Sequence, residues 1–374
     1  MNLSWLRPVY ESGADGPFAT VYLDASRTDE AGAREVELRW RSARDRLEEA
    51  GAPAGLLDAL ESAAGTPTGE GGANGLALVG AGDRVLLRRV LPRPPARETA
   101  SWSPLPHLMP LVRQEALTVP YVLLVADRQG ADVTVVGPHG DQLESHEVES
   151  TDEVIRKVPQ GGWSSARYQR RVEDSWEKNG AEVARDLDRV VARHGAQLVL
   201  VTGDVRATAA LLEHIGERTR EALVELQHGS RAPGASVDGL QEELEEVVAN
   251  RARSRIVGVL DRYEQERGRG GAAAEGLAEM VDAVRRAQVE TLLLHDDPSA
   301  TTTLWVGPEP LQMGLTREEL GTLGVAQPRQ DRADAAIVRA LAANDAGLVL
   351  IPPGKPELRD GIGAILRYVD AATP

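Results

Sequence analysis

The stretch Tyr121-Val-Leu-Leu-Val-Ala-Asp-Arg-Gln-Gly-Ala-Asp-Val-Thr-Val-Val136 reads as two apolar runs folded back on each other at Arg128-Gln-Gly-Ala131, a β-hairpin. Downstream, residues 165–193 set Val172, Trp176, Val183, Leu187 and Val190 at helical spacings, which predicts a long helix with one apolar stripe. Gln197-Leu-Val-Leu-Val201 has the composition of a buried strand; Thr202-Gly-Asp204 ends it, and a helix through Leu211 and Leu212 follows. Residues 221–226 are expected as an edge strand and residues 228–236 as a loop. Strands alternating with helices in this way predict a mixed-sheet α/β middle domain.

On the N-terminal side, residues 18–23 and the pairs 76–79 and 85–90 read as strands, with helices over residues 30–50 and after Pro53. The Gly80-x-Gly82 pair is no dinucleotide loop, because a strand follows it and the third glycine is missing. Five prolines between Pro92 and Pro106 close or leave this region. On the C-terminal side, a long helix is expected from residue 237 to about 266, broken at Arg267-Gly-Arg-Gly-Gly271. A third α/β unit follows: helices at 274–286 and 331–343, strands at 291–294, 303–306 and 348–351, and an ending at 361–369 that holds a short helix and a last strand. The organisation expected is a three-domain α/β protein, with an N-terminal domain at 1–117, a middle domain at 118–266 and a C-terminal domain at 267–374.

The chain has 374 residues and 42% apolar content, enough for several cores. Its 42 basic and 58 acidic residues sum to −16, which excludes a uniformly basic nucleic-acid coat and confines any polyanion contact to a local patch. Zero cysteines exclude disulfides, thiolate metal sites and a cysteine nucleophile. The 7 histidines never fall at the spacing of a zinc helix, so no metal and no cofactor is expected. The start, Met1 to Pro8, has no charged leader before a long apolar run, and no stretch approaches the length of a membrane span. A soluble cytoplasmic protein is expected, with neither a membrane nor DNA as partner.

The sharpest charge anomaly is the run from residue 156 to residue 171, where Arg156, Lys157, Arg167, Arg170 and Arg171 occur without one acidic residue. Gln160-Gly161-Gly162-Trp163-Ser164-Ser165 lies at its centre, and paired glycines permit backbone angles closed to other residues. Arg167, Arg170 and Arg171 follow at spacings of three and four and so share one side of the helix. Trp163 and Tyr168 offer faces on which bases could stack. The plain reading is a loop, a serine cap and solvated arginines; the functional one is insertion among RNA phosphates. A second acid-free run, Arg84 to Arg97, includes Arg88, Arg89 and Arg93, which read either as a strand edge with a solvated linker or as a further rRNA contact. Asp127 and Asp204, both at strand ends, suit a hairpin turn and a helix N-cap better than the metal site of a nuclease. His295-Asp-Asp297 and Trp305 are assigned to turns and core.

This loop and helix resemble the middle domain of the archaeal and eukaryotic class-1 release factor family, which includes Pelota. There a hairpin precedes a Gly-Gly-Gln loop, and a Ser-Ala-x-Arg-aromatic stretch opens the long helix. Here the matching residues are the hairpin at 121–136, Gly161-Gly162 and Ser165-Ala166-Arg167-Tyr168. The third domain agrees: residues 276–284 and 289–294 are similar to the helix and strand that begin that family's last domain, and residues 361–368 to its ending. The resemblance runs over residues 118–374 and points to the bacterial branch, the Balon-like ribosome hibernation factors of actinobacteria. It implies a ribosomal partner with rRNA contacts on both subunits, and elongation factor Tu as a further partner, a contact for which the residues themselves give no separate sign. One departure bears on the chemistry. Trp163 stands where release factors place the glutamine that helps set water against the peptidyl-tRNA ester. An indole has one N–H donor and no acceptor, so it cannot coordinate water as an amide does. A non-catalytic occupant of the peptidyl-transferase centre is expected, with no catalytic residue. The alternative is a peptidyl-tRNA hydrolase in which Gln160 or a backbone amide positions water. The Asn-Ile-Lys-Ser motif of stop-codon reading is missing from the N-terminal domain.

Overall fold

The computed structural model describes residues 1–12, 16–26, 32–69, 72–116, 118–127, 129–138, 140–149, 165–231, 238–352 and 356–370; of residues 33, 149, 165–176 and 238 it describes the backbone alone. The chain forms two compact units, one from Met1–Ala116 with Ile256–Pro374 and one from Leu117–Arg255. The expected boundaries, 117 and 266, placed the two ends of the chain in separate domains; here they share one.

The first unit begins with a short helix α1 (Arg7–Tyr10) and strand β1 (Phe18–Asp24), followed by helices α2 (Gly32–Glu49) and α3 (Ala54–Gly65). Strands β2 (Gly75–Ala81), β3 (Arg84–Leu91) and β4 (Thr99–Ser103) complete an antiparallel sheet of order β3-β2-β1-β4, and helix α4 (Met109–Glu115) follows. Strand side chains alternate between faces, and here the alternation sorts them into two cores. Ala19, Val21, Leu23, Leu76 and Leu78 pack with Val36, Trp40, Ala43 and Leu47 of α2 and with Leu56, Leu57 and Leu60 of α3. Phe18, Tyr22, Ala77, Val79 and Ala81 face the other way, into a core that also holds residues from the last third of the chain. A sheet covered on both faces explains why every residue of β2 is buried.

The second unit is a five-stranded sheet of order β7-β6-β5-β8-β9, built from β5 (Tyr121–Ala126), β6 (Gly130–Val136), β7 (Gln142–Glu149), β8 (Leu198–Gly203) and β9 (Leu223–Glu225). The hairpin pairs Tyr121 with Val136 and Ala126 with Ala131, while β8 runs parallel to β5 and to the edge strand β9. Strand β7 lies between the expected hairpin and the expected long helix, where the sequence predicts no strand. It is an edge strand, and its charged residues hide the alternation that a buried strand shows. Helices α5 (Ser165–His194) and α6 (Val205–His214) fall where the sequence predicts them, while the short helix α7 (Glu217–Glu221) is an addition that takes residue 221 from the expected edge strand. Val183, Leu187 and Val190 of α5 cover one sheet face with Val122, Leu124, Val133 and Val199. The other face, with Leu198 and Leu200, meets Leu240, Leu244, Val247, Val248 and Ala252 of helix α8 (Asp238–Gly268).

The first unit resumes in the C-terminal half of α8. Strand β10 (Ala273–Glu275), helix α9 (Leu277–Arg285), strands β11 (Val289–His295), β12 (Thr303–Val306) and β13 (Met313–Gly314), helix α10 (Arg317–Thr322), strand β14 (Arg329–Arg332), helix α11 (Ala333–Ala343), strand β15 (Gly347–Ile351) and strand β16 (Ile362–Leu366) follow. They form sheets of order β10-β16-β11-β15 and β13-β12-β14. Three sequence expectations are corrected, the first being the helix expected from residue 331, which starts at Ala333 because residues 329–332 form β14. Residues 273–275 are a strand paired with β16, and the helix starts only after Gly276; residues 362–366 are strand throughout, preceded by a single turn at Arg359–Gly361. Alanines of good helical propensity take strand conformation because both neighbours of β16 offer it hydrogen bonds. Tyr263 of α8 packs with Leu293, Val349 and Ile365 on one face of this sheet. Leu292, Leu348 and Ala364 face the opposite way, into the core shared with Phe18 and Tyr22.

Candidate nucleic-acid interface

Arg156, Lys157, Gln160, Gly161, Gly162, Trp163 and Ser164 lie outside the described residues. Arg167, Tyr168, Arg170 and Arg171 fall in the opening turns of α5, whose backbone is helical from Ser165. What the structure supplies is the scaffold that aims this helix. Gly180 lets α5 pass close to α6: a Cβ there would lie 2.8 Å from the carbonyl carbon of Ala210. On the sheet side, α5 is pinned to β7 by an ionic cluster. His146 places Nε2 at 2.7 Å from Asp186 Oδ2 and Nδ1 at 3.2 Å from Glu144 Oε1. Glu144 Oε2 in turn lies 2.9 Å from His194 Nε2 and 3.3 Å from Arg193 Nη1, while Arg189 Nη1 donates to Asp186 at 2.7 Å. The hydrogen bond from His194, aided by Arg193, holds the Glu144 carboxyl below the usual glutamate range.

At the hairpin turn, Asp127 Oδ1 accepts the backbone N–H groups of Gln129 and Gly130 at 2.7 and 3.0 Å. The same atom takes Arg231 Nη1 at 2.8 Å, and Arg231 also contacts Asp132 at 3.0 Å and Glu147. Burial works against the charge on Arg231, but Asp132 and Asp127 outweigh it and hold its pKa above the ordinary arginine value. Asp204 caps α6 by accepting from the backbone of Arg206 and Ala207. Both aspartates therefore have the turn and cap roles that the sequence favoured over a nuclease metal site, and among the described residues no group of three or more His, Asp or Glu could hold a metal ion.

The arginines of the N-terminal run have intramolecular work. Arg88 donates to the carbonyls of Ala63, Thr66 and Pro67 at 3.0, 2.7 and 3.2 Å, which staples β3 to the end of α3. Arg89 donates to the buried carboxylate of Glu115 at 3.2 Å and lies over the ring of Trp5. Arg93 is exposed in the bend after β3. In the C-terminal segment, His295 Nε2 lies 3.0 Å from the Pro356 carbonyl, Asp296 pairs with Arg113, and Asp297 accepts from Ser299. Trp305 is half-buried under the guanidinium of Arg317. Asp296 and Asp297 lie in the turn after β11 as expected, whereas His295 ends that strand and Trp305, expected in the core, stays half-exposed on β12.

A basic site that the sequence reading passed over lies on α8. Arg251, Ser254 and Arg255 are spaced three and four apart and line one small pocket with Gln197 and Val119. The signal was present in the sequence, since residues 247–260 contain three arginines and no acidic residue. Among the described residues no helix is long and apolar enough to cross a membrane.

Comparison with known proteins places these features in a family. The model of bacterial archaeo-eukaryotic release factor family 2 matches residues 120–269. Two Mycobacterium tuberculosis proteins, Rv2629 of strain H37Rv and MT2704 of strain CDC 1551, are each 31% identical to this chain over 369 residues, covering 98% of it and 96% of their own length. Among solved structures, the archaeal translation termination factor aRF1 is similar at 16% identity, with 98% of this chain and 97% of that one covered and a TM-score of 0.24. Near-complete coverage at 31% identity, with the family match falling on the hairpin, the basic run and α5, shows that the chain belongs to bacterial archaeo-eukaryotic release factor family 2.

Proposed function

We propose that this protein binds the vacant ribosomal A site during dormancy or stress and blocks it without chemistry. The observation that carries this reading is the triplet Gly161-Gly162-Trp163 in a member of a release factor family. The position that the resemblance gives to a water-positioning amide holds an indole, which has a single donor, no acceptor and far greater bulk. The basic residues around it, Arg156, Lys157, Arg167, Arg170 and Arg171, suit phosphate contacts in the peptidyl-transferase centre, and Trp163 and Tyr168 suit stacking on bases. By the same resemblance, residues 1–117 would lie toward the decoding centre and residues 267–374 toward the factor-binding side, with rRNA of both subunits as partner. Because these two segments share a core, the ribosome would receive them as one body. Elongation factor Tu, as a delivery partner, rests on the resemblance alone, as does a cytoplasmic location.

Ribosomes carrying labelled peptidyl-tRNA test the proposal. The purified protein should co-sediment with them and leave the ester intact. Absence from the ribosomal fractions would remove the role. Release well above background that Gln160→Ala abolishes would establish the hydrolase reading instead.

A further inference from the structure

We propose that Arg251 and Arg255 on α8, together with the side-chain amide of Gln197, form a pocket for a phosphate group of an RNA backbone, a contact separate from the basic run at residues 156–171. The cavity measures about 200 Å³ and is lined by Val119, Gln197, Arg251, Ser254 and Arg255. Arg251 has no hydrogen bond or ion pair among the described residues, whereas its neighbours on the same helix are held: Arg253 by Asn250 at 2.7 Å, and Arg262 by Glu290. Gln197 uses its backbone N–H on Pro120 and keeps its exposed side-chain amide for other partners. Ser254 donates to the Asn250 carbonyl at 3.0 Å, so it shapes the rim and does not donate into the pocket. Burial pushes the guanidinium of Arg255 below its ordinary pKa, as expected where the positive charge is partly withdrawn from water.

The ligand class follows from the lining. The guanidinium fork of Arg251 and an amide N–H present donors, Arg255 adds positive charge, and no carboxylate lines the cavity, the chemistry that takes a phosphate oxygen. No aromatic ring lines the cavity, so there is no platform for a base, and backbone recognition is favoured over base recognition. The chain carries a net charge of −16, so a stretch from Val247 to Leu260 with three arginines and no acidic residue is a local reversal of the surrounding field. The pocket also sits on the sheet face covered by α8, not on the face covered by α5. The choice of RNA over free phosphate rests on the ribosomal reading above.

The test measures binding of the full-length chain to a fluorescently labelled RNA hairpin across a salt series, for wild type, Arg251→Gln, Arg251→Glu and the control Arg253→Gln. Arg251 is exposed on a helix, and glutamine is a good helix former. Arg251→Gln should bind about tenfold more weakly, with a salt dependence shallower by about one ion, and Arg253→Gln should follow wild type. Equal affinity and slope for wild type and both Arg251 variants overturns the inference. So does a chain that binds no hairpin, including the case in which inorganic phosphate alone protects Arg251 from phenylglyoxal. Ribosome co-sedimentation is scored separately. Its loss with the Arg251-dependent hairpin binding intact removes the A-site role and leaves the pocket, and the reverse result removes the pocket alone.

Discussion

Gly203 shows how far one residue can constrain this fold. It ends β8 at φ +131°, and a Cβ there would fall 1.8 Å from the carbonyl oxygen of Ala126 on the neighbouring strand. Gly203→Ala should therefore cost on the order of 2 kcal/mol or more, through backbone strain and the forced separation of β5 from β8. Urea denaturation of the variant checks it; an unchanged midpoint would refute the close approach. Arg89 and Glu115 make a second residue-scale case. The Glu115 side chain is 3% exposed, and removing Arg89 takes an opposite charge away from a buried carboxylate. Arg89→Ala should destabilise by about 3 kcal/mol, and Arg89→Lys should recover part of that, because lysine restores the charge without the fork. If Arg89→Ala instead keeps full stability and loses ribosome binding, the arginine belongs to the interface.

At the scale of elements, the decisive junction is β7 with α5, because α5 opens with Arg167, Arg170 and Arg171 of the basic run. Glu144 is the hub of that junction, and its carboxyl is held below the usual range by His194. A carboxylate whose folded pKa is depressed contributes stability that is fully present above its unfolded pKa and is lost as pH falls through the folded one. The thermal midpoint of wild type should thus exceed that of Glu144→Gln near neutral pH, and the gap should close on acidification from about pH 5 downward. A gap that stays constant to pH 3 would mean that Glu144 acts through shape alone. Helix α5 was legible in the sequence because its stripe of Val183, Leu187 and Val190 repeats locally. Strand β7 was not, since an edge strand of charged residues has no apolar alternation to read.

For the whole molecule, the consequential feature is the core that joins the two ends of the chain. Leu3, Leu6, Phe18, Tyr22 and Leu108 are buried with Met280, Val284, Leu304, Ile337 and Leu341. A fragment of residues 1–116 should therefore lack a cooperative thermal transition, because one face of its sheet would be bare. A fragment of residues 117–255 keeps the cores on both faces of its sheet and should melt cooperatively. Circular dichroism melts of both fragments decide the point. A cooperative transition in residues 1–116 would show that its helix-covered core suffices.

Local order was readable from the residues alone: the hairpin, the long helix, the charge anomaly around Gly161-Gly162-Trp163 and the resemblance that led to the release factor family all reside in neighbouring positions, where periodicity and motif spacing express themselves. Tertiary structure alone decided the rest. That the alternate residues of β1 and β2 are covered by elements from the far end of the chain, that Arg88 staples a helix end, and that Gln197 meets Arg251 and Arg255 in one pocket all depend on contacts between distant segments. A side chain facing outward from its own element looks the same in sequence whether water or another part of the chain will cover it.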